Sequence, residues 1–314
     1  MLGKNAGGLF WMFRYLERSE NTARLVNAGF RMALTRSSAA AEAEWQSVLT
    51  TVGQKAAFEQ AHDTYTSQNV TDFLLRDKNN PTSVLSMIEQ ARNNARMVRT
   101  NITVEVWEAT NECWMTLKGL LGRTVREKDL PSVLGVIRQQ SALVRGALHG
   151  TMLRNDIYNF ARLGTFLERA DNTARILDVK YYVLLPSVSH VGSSLDNVQW
   201  ETILRSVSAL RAYGWANEGD IGPRSIADFL ILDRRMPRSL AFCSRQILSN
   251  AEWLADEYGQ DSPTLALAKA QHHRLKSSVI DDIIDTGLHE FLEVFIRENN
   301  ALAGQVERDY RFYE

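Results

Sequence analysis

One nonapeptide, met twice, limits what this chain can fold into. Leu16-Glu17-Arg18-Ser19-Glu20-Asn21-Thr22-Ala23-Arg24 returns 151 residues later as Leu167-Glu168-Arg169-Ala170-Asp171-Asn172-Thr173-Ala174-Arg175. The copies share a leucine-glutamate-arginine opening, an acidic fifth residue and an Asn-Thr-Ala-Arg ending. Neither contains Pro or Gly, so each can sit inside an unbroken helix. At 100° per residue Glu17, Asn21 and Arg24 fall on one narrow stripe, as do Glu168, Asn172 and Arg175. Leu9, Met12, Phe13, Leu16 and Ala23 define the neighbouring face. Two related helices therefore carry a charged, hydrogen-bonding strip beside their apolar side.

Two further anchors follow in the same order. Glu44-Trp45-Gln46-Ser47-Val48-Leu49 is echoed by Gln199-Trp200-Glu201-Thr202-Ile203-Leu204 at an offset of 155. Phe73-Leu74-Leu75 with Asp77, Pro81 and Ser83 is echoed by Phe229-Leu230-Ile231 with Asp233, Pro237 and Ser239 at an offset of 156. Three ordered anchors with nearly constant offset are the mark of internal repetition. The expected fold is an all-α, internally duplicated helical bundle, its halves related by an approximate two-fold axis. It is read as a single domain over residues 1–314, made of repeats at about 1–150 and 151–314. Only six prolines interrupt the chain. Helices are expected over 6–35, 42–61, about 71–75, from Pro81 onward, over 103–121, from Pro131 to about 148, over 155–185, 262–276 and 280–310. Residues 186–196 look most like a linker.

Composition removes several classes of function. With 36 basic against 37 acidic residues, nothing draws the whole chain to nucleic acid. No run of 18 apolar residues offers a membrane span, and charges at Arg14, Glu17 and Arg18 interrupt the start too early for a secretory leader. Cys113 and Cys243 are far apart and lack metal-ligand spacing, which suits free thiols in a reducing cytosol. A cytoplasmic location is expected.

The strips allow several readings. In a structural one, antiparallel helices pair Glu17 with Arg175 and Glu168 with Arg24, fixing the register of the halves. In a functional one, the strips line a polar pocket whose arginines grip an anionic or peptide-like ligand. In a third, they are a solvated face. A di-metal centre is disfavoured, because arginines crowd the carboxylates of the strips and the adjacent His272-His273 would point about 100° apart on a helix. Nucleophile-elbow, Walker and dinucleotide-binding motifs are missing. No catalytic residue, metal or cofactor is therefore assigned.

These motifs resemble the alpha-E domain family, an α-helical family of unknown function named for its glutamate-arginine motif. The resemblance rests on Leu9-Phe10-Trp11 with residues 14–24, and on Arg162-Leu163-Gly164 with residues 167–178. Trp200, Ala227-Asp228-Phe229-Leu230 and Pro237-Arg238-Ser239 complete it. One departure is Thr165, where the family usually has an arginine matching Arg14. The resemblance implies a setting beside ATP-grasp-type ligases and transglutaminase-like proteins, in an amide- or peptide-forming system. It points to a helical accessory protein that docks on such a ligase or holds a peptide. Rival readings are an enzyme or ligand-binding protein using the strips as a pocket, and a purely structural oligomer. Arg14, Glu17, Arg18, Asn21, Arg24, Glu168, Arg169, Asn172 and Arg175 are the candidate binding or inter-repeat residues.

Overall fold

The computed structural model describes residues 1–34, 37–184, 194–217, 222–259 and 261–313. Among them the chain is all helix, with fifteen α-helices, one 3-10 turn and no strand. The expected linker at 186–196 falls mostly outside the described residues. Two compact units emerge, one of Met1–Glu168 with Glu307–Glu314, the other of Arg169–Val306. The division falls inside a single helix.

The first unit is built on α1 (Gly3–Ala33), about 46 Å long at 1.5 Å per residue. Its buried residues run round most of the helix, from Leu9, Phe10 and Phe13 to Glu17, Glu20 and Asn21. A helix buried on nearly all sides is a central one, and its neighbours surround it. They include α2 (Ser38–Thr51), α4 (Ser67–Leu75), α5 (Val84–Met97) and α7 (Leu130–Thr151). Between α5 and α7 lies α6 (Val104–Leu121), which packs on both. The first part of α8 (Asp156–Leu184) also crosses α1. There a Cβ on Gly164 would stand 2.2 Å from the Phe10 carbonyl oxygen, so only glycine lets the backbones meet this closely. The chain end returns to the same region, with Phe312 against Phe10 (ring centroids 5.4 Å apart) and Tyr310 edge-on to Phe160 (4.8 Å).

Local chemistry explains most helix ends, and corrects three expected ones. The helix expected over 42–61 is two, α2 and α3 (Lys55–Glu59), broken where Gly53 takes φ +69°. Pro81 does not open a helix; α5 starts later, where the Ser83 side chain caps the Ser86 N–H. Pro131 does occupy the first turn of α7. The helix expected over 280–310 is likewise split, into α14 (Ile280–Thr286) and α15 (Leu288–Asp309), at Gly287 with φ +114°.

The second unit contains the rest of α8, α9 (Ser194–Ser206), α10 (Leu210–Ala216), α11 (Pro223–Ile231), α12 (Leu240–Tyr258), α13 (Pro263–Ser277), α14 and α15. Its α11–turn–α12 segment has the bounds at which α4 and α5 begin, shifted by 156 residues. In both turns an aspartate accepts from the backbone two residues on. Asn79 N–H donates to Asp77 at 2.9 Å, and Arg235 N–H to Asp233 at 2.6 Å. In both, a serine then caps the next helix, Ser83 for α5 and Ser239 for α12.

Trp45, Trp114 and Trp200 are buried, whereas Trp107 and Trp253 are half-buried. Cys113 and Cys243 are buried free thiols, and burial pushes the Cys113 thiol up to about 12.

A buried arginine–glutamate network as the candidate functional site

The charged strip of α1 lies inside the first unit. Glu17 and Glu20 are each 1% exposed, and Glu168 on α8 is 4% exposed. A buried carboxylate survives only with close countercharge. Here arginines supply it.

Glu168 is gripped by two arginines of α1. Arg18 donates through Nε to one carboxylate oxygen at 2.5 Å and through Nη2 to the other at 2.7 Å. Arg14 adds its Nε to the second oxygen at 3.0 Å. Spaced i, i+4, the two arginines share a helix face, which is why one carboxylate can take both. Arg14 is itself buried and lies over the Trp11 ring, 4.7 Å from its centroid. Burial raises the Glu168 pKa, but the adjacent Arg18 and Arg14 guanidiniums outweigh it and hold the carboxyl below its ordinary value. Three charge-assisted bonds to one buried acceptor make Glu168 the centre of the site.

A second cluster lies further along α1. Arg24 closes on Glu20 within the helix, its Nε 3.1 Å from Oε1. Arg145 of α7 pairs with the other Glu20 oxygen and stands 3.6 Å from Glu17. The partners observed for Glu168 are thus Arg14 and Arg18, where the structural reading of the strips expected Arg24. Arg24 reaches the carboxylate one turn back, the short i, i+4 span that a seven-residue spacing does not offer.

In the second unit the matching strip binds a turn. Arg169 Nη1 donates to the Pro237 carbonyl at 3.4 Å, and the Thr173 hydroxyl to the Arg238 carbonyl at 2.8 Å. These carbonyls precede the Ser239 cap, so the strip of α8 holds the start of α12. Arg175 Nε donates to Asp171 at 2.7 Å. The Asn172 side-chain nitrogen is buried with no hydrogen-bond partner among the described residues. Thr165, at the position matching Arg14, is buried and returns its hydroxyl to the Ala161 carbonyl at 3.0 Å. With no guanidinium there, the second copy cannot repeat the Arg14 contact.

Arg14, Arg18 and Glu168 thus form one cluster and Glu17, Glu20, Arg24 and Arg145 a second, while Arg169 and Thr173 serve a turn. Arg145 is the member that sequence reasoning missed. Its signal was faint: it follows Val144 on the flank of the apolar Leu134-Ile137-Val144-Leu148 stripe. Clefts in the second unit lie elsewhere, one of about 440 Å³ lined by Ile283, Phe291 and Val294 and one of about 610 Å³ lined by Glu252, Asp256 and Lys269. Neither is lined by a strip residue. Among the described residues no cluster of His, Cys, Asp or Glu has the makings of a metal site, and no helix is long and apolar enough to cross a membrane.

An all-helical chain organised on buried glutamate-arginine pairs is the class of protein that this geometry defines. The chain belongs to the Alpha-E family, described as a predicted alpha-helical domain with a conserved ER motif, whose model matches residues 1–311. No curated protein and no solved structure gives a significant match.

Proposed function

We propose that the protein is a non-catalytic helical partner of an amide- or peptide-forming system of the ATP-grasp and transglutaminase-like kind. The choice of system rests on the family resemblance alone. The non-catalytic reading is carried by one observation, the saturation of Glu168. A general base needs a carboxylate that can reach a substrate proton and a pKa near the working pH. Glu168 is buried, takes three arginine hydrogen bonds and is held below the ordinary carboxylate range. Glu17 and Glu20 are buried beside Arg145. These acids serve packing and register, which leaves recognition to the outer surface.

We further propose that the halves are copies of one ancestral unit. The nearly constant offsets of the three anchors support this, as do the shared aspartate turn and serine cap.

The test of partnership is co-expression of the tagged chain with an ATP-grasp-type ligase and a transglutaminase-like protein from the same genome, followed by size-exclusion chromatography. Co-elution at a fixed stoichiometry is expected with the ligase. Separate elution of all three at micromolar concentration would contradict the reading.

A further inference from the structure

Several helix ends of the first unit meet, and short contacts fix which segments share that place. At the start of α1 the Asn5 side chain donates to Asn101 Oδ1, in the α5–α6 turn, at 3.2 Å. The hydroxyl of Thr103, which caps α6, lies 2.6 Å from that of Thr151 at the end of α7. The Met1 amine stands 3.5 Å from Asp156 in the first turn of α8. A Cβ on Gly8 of α1 would be 4.0 Å from Met97 Cε, at the end of α5. The start of α1, the α5–α6 turn and the α7–α8 turn are therefore neighbours at one end of the bundle.

Each of these segments exposes a large apolar side chain. Leu2, Met97, Val104 and Leu153 are all more than half exposed. Single exposed apolar residues are ordinary, but four gathered at one end mark a surface that is covered in use. Bases flank the tips. Lys4 lies two residues past Leu2, Arg96 and Arg99 bracket Met97, and Arg154 follows Leu153. All four bases are exposed, and among the described residues none has a carboxylate within ion-pair distance. Within residues 1–5, 96–105 and 151–156 the acids are Glu105 and Asp156 alone. Two of the bases lie on aromatic rings. The Arg99 guanidinium carbon is 5.2 Å from the Trp107 centroid, and that of Arg154 is 4.2 Å from the Tyr158 centroid. Trp107 is three residues past Val104, on the same face of α6. Half-buried Trp and Tyr beside cations suit a boundary with one apolar and one wet side.

We propose that this end of the first unit docks on an anionic membrane surface. The tips of Leu2, Met97, Val104 and Leu153 enter the headgroup–acyl boundary, while Lys4, Arg96, Arg99 and Arg154 stay at the lipid phosphates. Apolar tips on separate helix ends, most of them beside a long flexible base, match a fluid interface that adapts to each. A folded acidic protein would need a fixed counter-surface for every one. The contact is peripheral, since among the described residues no helix is long and apolar enough to cross a membrane.

The test is co-sedimentation of the full chain with vesicles of phosphatidylcholine alone and of phosphatidylcholine with phosphatidylglycerol, two to one. The wild type is expected to pellet with the anionic vesicles only, and less as salt is raised. Val104→Glu and Leu153→Glu, at exposed positions where folding is unaffected, should keep the wild-type melting temperature and each weaken partitioning at least tenfold. Arg96→Gln and Arg99→Gln should each weaken it about fivefold. Met115→Glu, exposed on α6 about 16 Å along the helix from Val104, should leave it intact. Equal binding to both vesicle types, no pelleting with either, or undiminished binding of both glutamate variants would overturn the proposal. Retention on immobilised polyglutamate without pelleting would overturn it too, and would assign this end to an acidic protein.

Discussion

Glu168 concentrates the electrostatics of the first unit in one side chain. Replacing it by glutamine removes the charge that Arg14 and Arg18 share, and breaking a buried pair in this way costs about 3–5 kcal/mol. Urea denaturation of Glu168→Gln should show that loss at pH 7. The pH dependence has a definite sign. The folded carboxyl is held below its ordinary value of 4.5, so its contribution is fully present above that value. It is lost as pH falls through the lower, folded pKa. Wild-type stability should therefore drop more steeply than that of Glu168→Gln below pH 4.5; parallel curves would remove Glu168 as the source. Cys113 makes a second prediction at this scale. With its thiol pushed up to about 12 and no exposed surface, it should resist iodoacetamide at pH 8 in the folded protein and react once unfolded.

Between elements, the tightest constraint is the crossing of α1 and α8. Gly164→Ala would drive a methyl group against the Phe10 carbonyl oxygen, which as backbone cannot turn aside. A cost at the upper end of about 1–3 kcal/mol is expected. Gly146→Ala in α7 meets nothing within 4 Å and should instead stabilise by about 0.4–1 kcal/mol. Opposite signs for two helical glycines, read by chemical denaturation, check the crossing directly. In the second unit, His289 on α15 hydrogen-bonds Asp178 on α8 at 2.5 Å. That bond, with the Asp178 charge, raises the histidine pKa above 6.5 despite some burial. Its stabilisation is complete below pH 6.5 and fades as pH rises through the folded value. Asp178→Asn should flatten the melting-temperature profile above neutrality; an unchanged profile would show that the pair contributes nothing.

Over the whole molecule, sequence patterning revealed the helical class and which strips matter, but not their partners. Periodicity placed Glu17, Glu168 and the arginines on one flank of an apolar face, because helix geometry is local and regular. Whether Glu168 meets Arg14, Arg18 or Arg24 depends on where two helices cross, and the clearest mark of that crossing is Gly164. A lone glycine in a helix does not say which backbone approaches it. Arg145 was only faintly legible for the same reason, since its value comes from α7 lying against α1. The breaks at Gly53 and Gly287 were missed because a glycine inside a periodic run reads as tolerated until its φ is seen.

The central claim, that the glutamate-arginine motif is a buried structural pair, is tested most directly by a double-mutant cycle on Arg14 and Glu168. Arg14→Gln, Glu168→Gln and the double variant would be compared with wild type by urea denaturation at pH 7. A favourable coupling of about 2 kcal/mol or more is predicted for two buried, hydrogen-bonded charges. A coupling below about 0.5 kcal/mol, with single variants near wild type, would mean that the motif is free to face a ligand or solvent, and the account would fail.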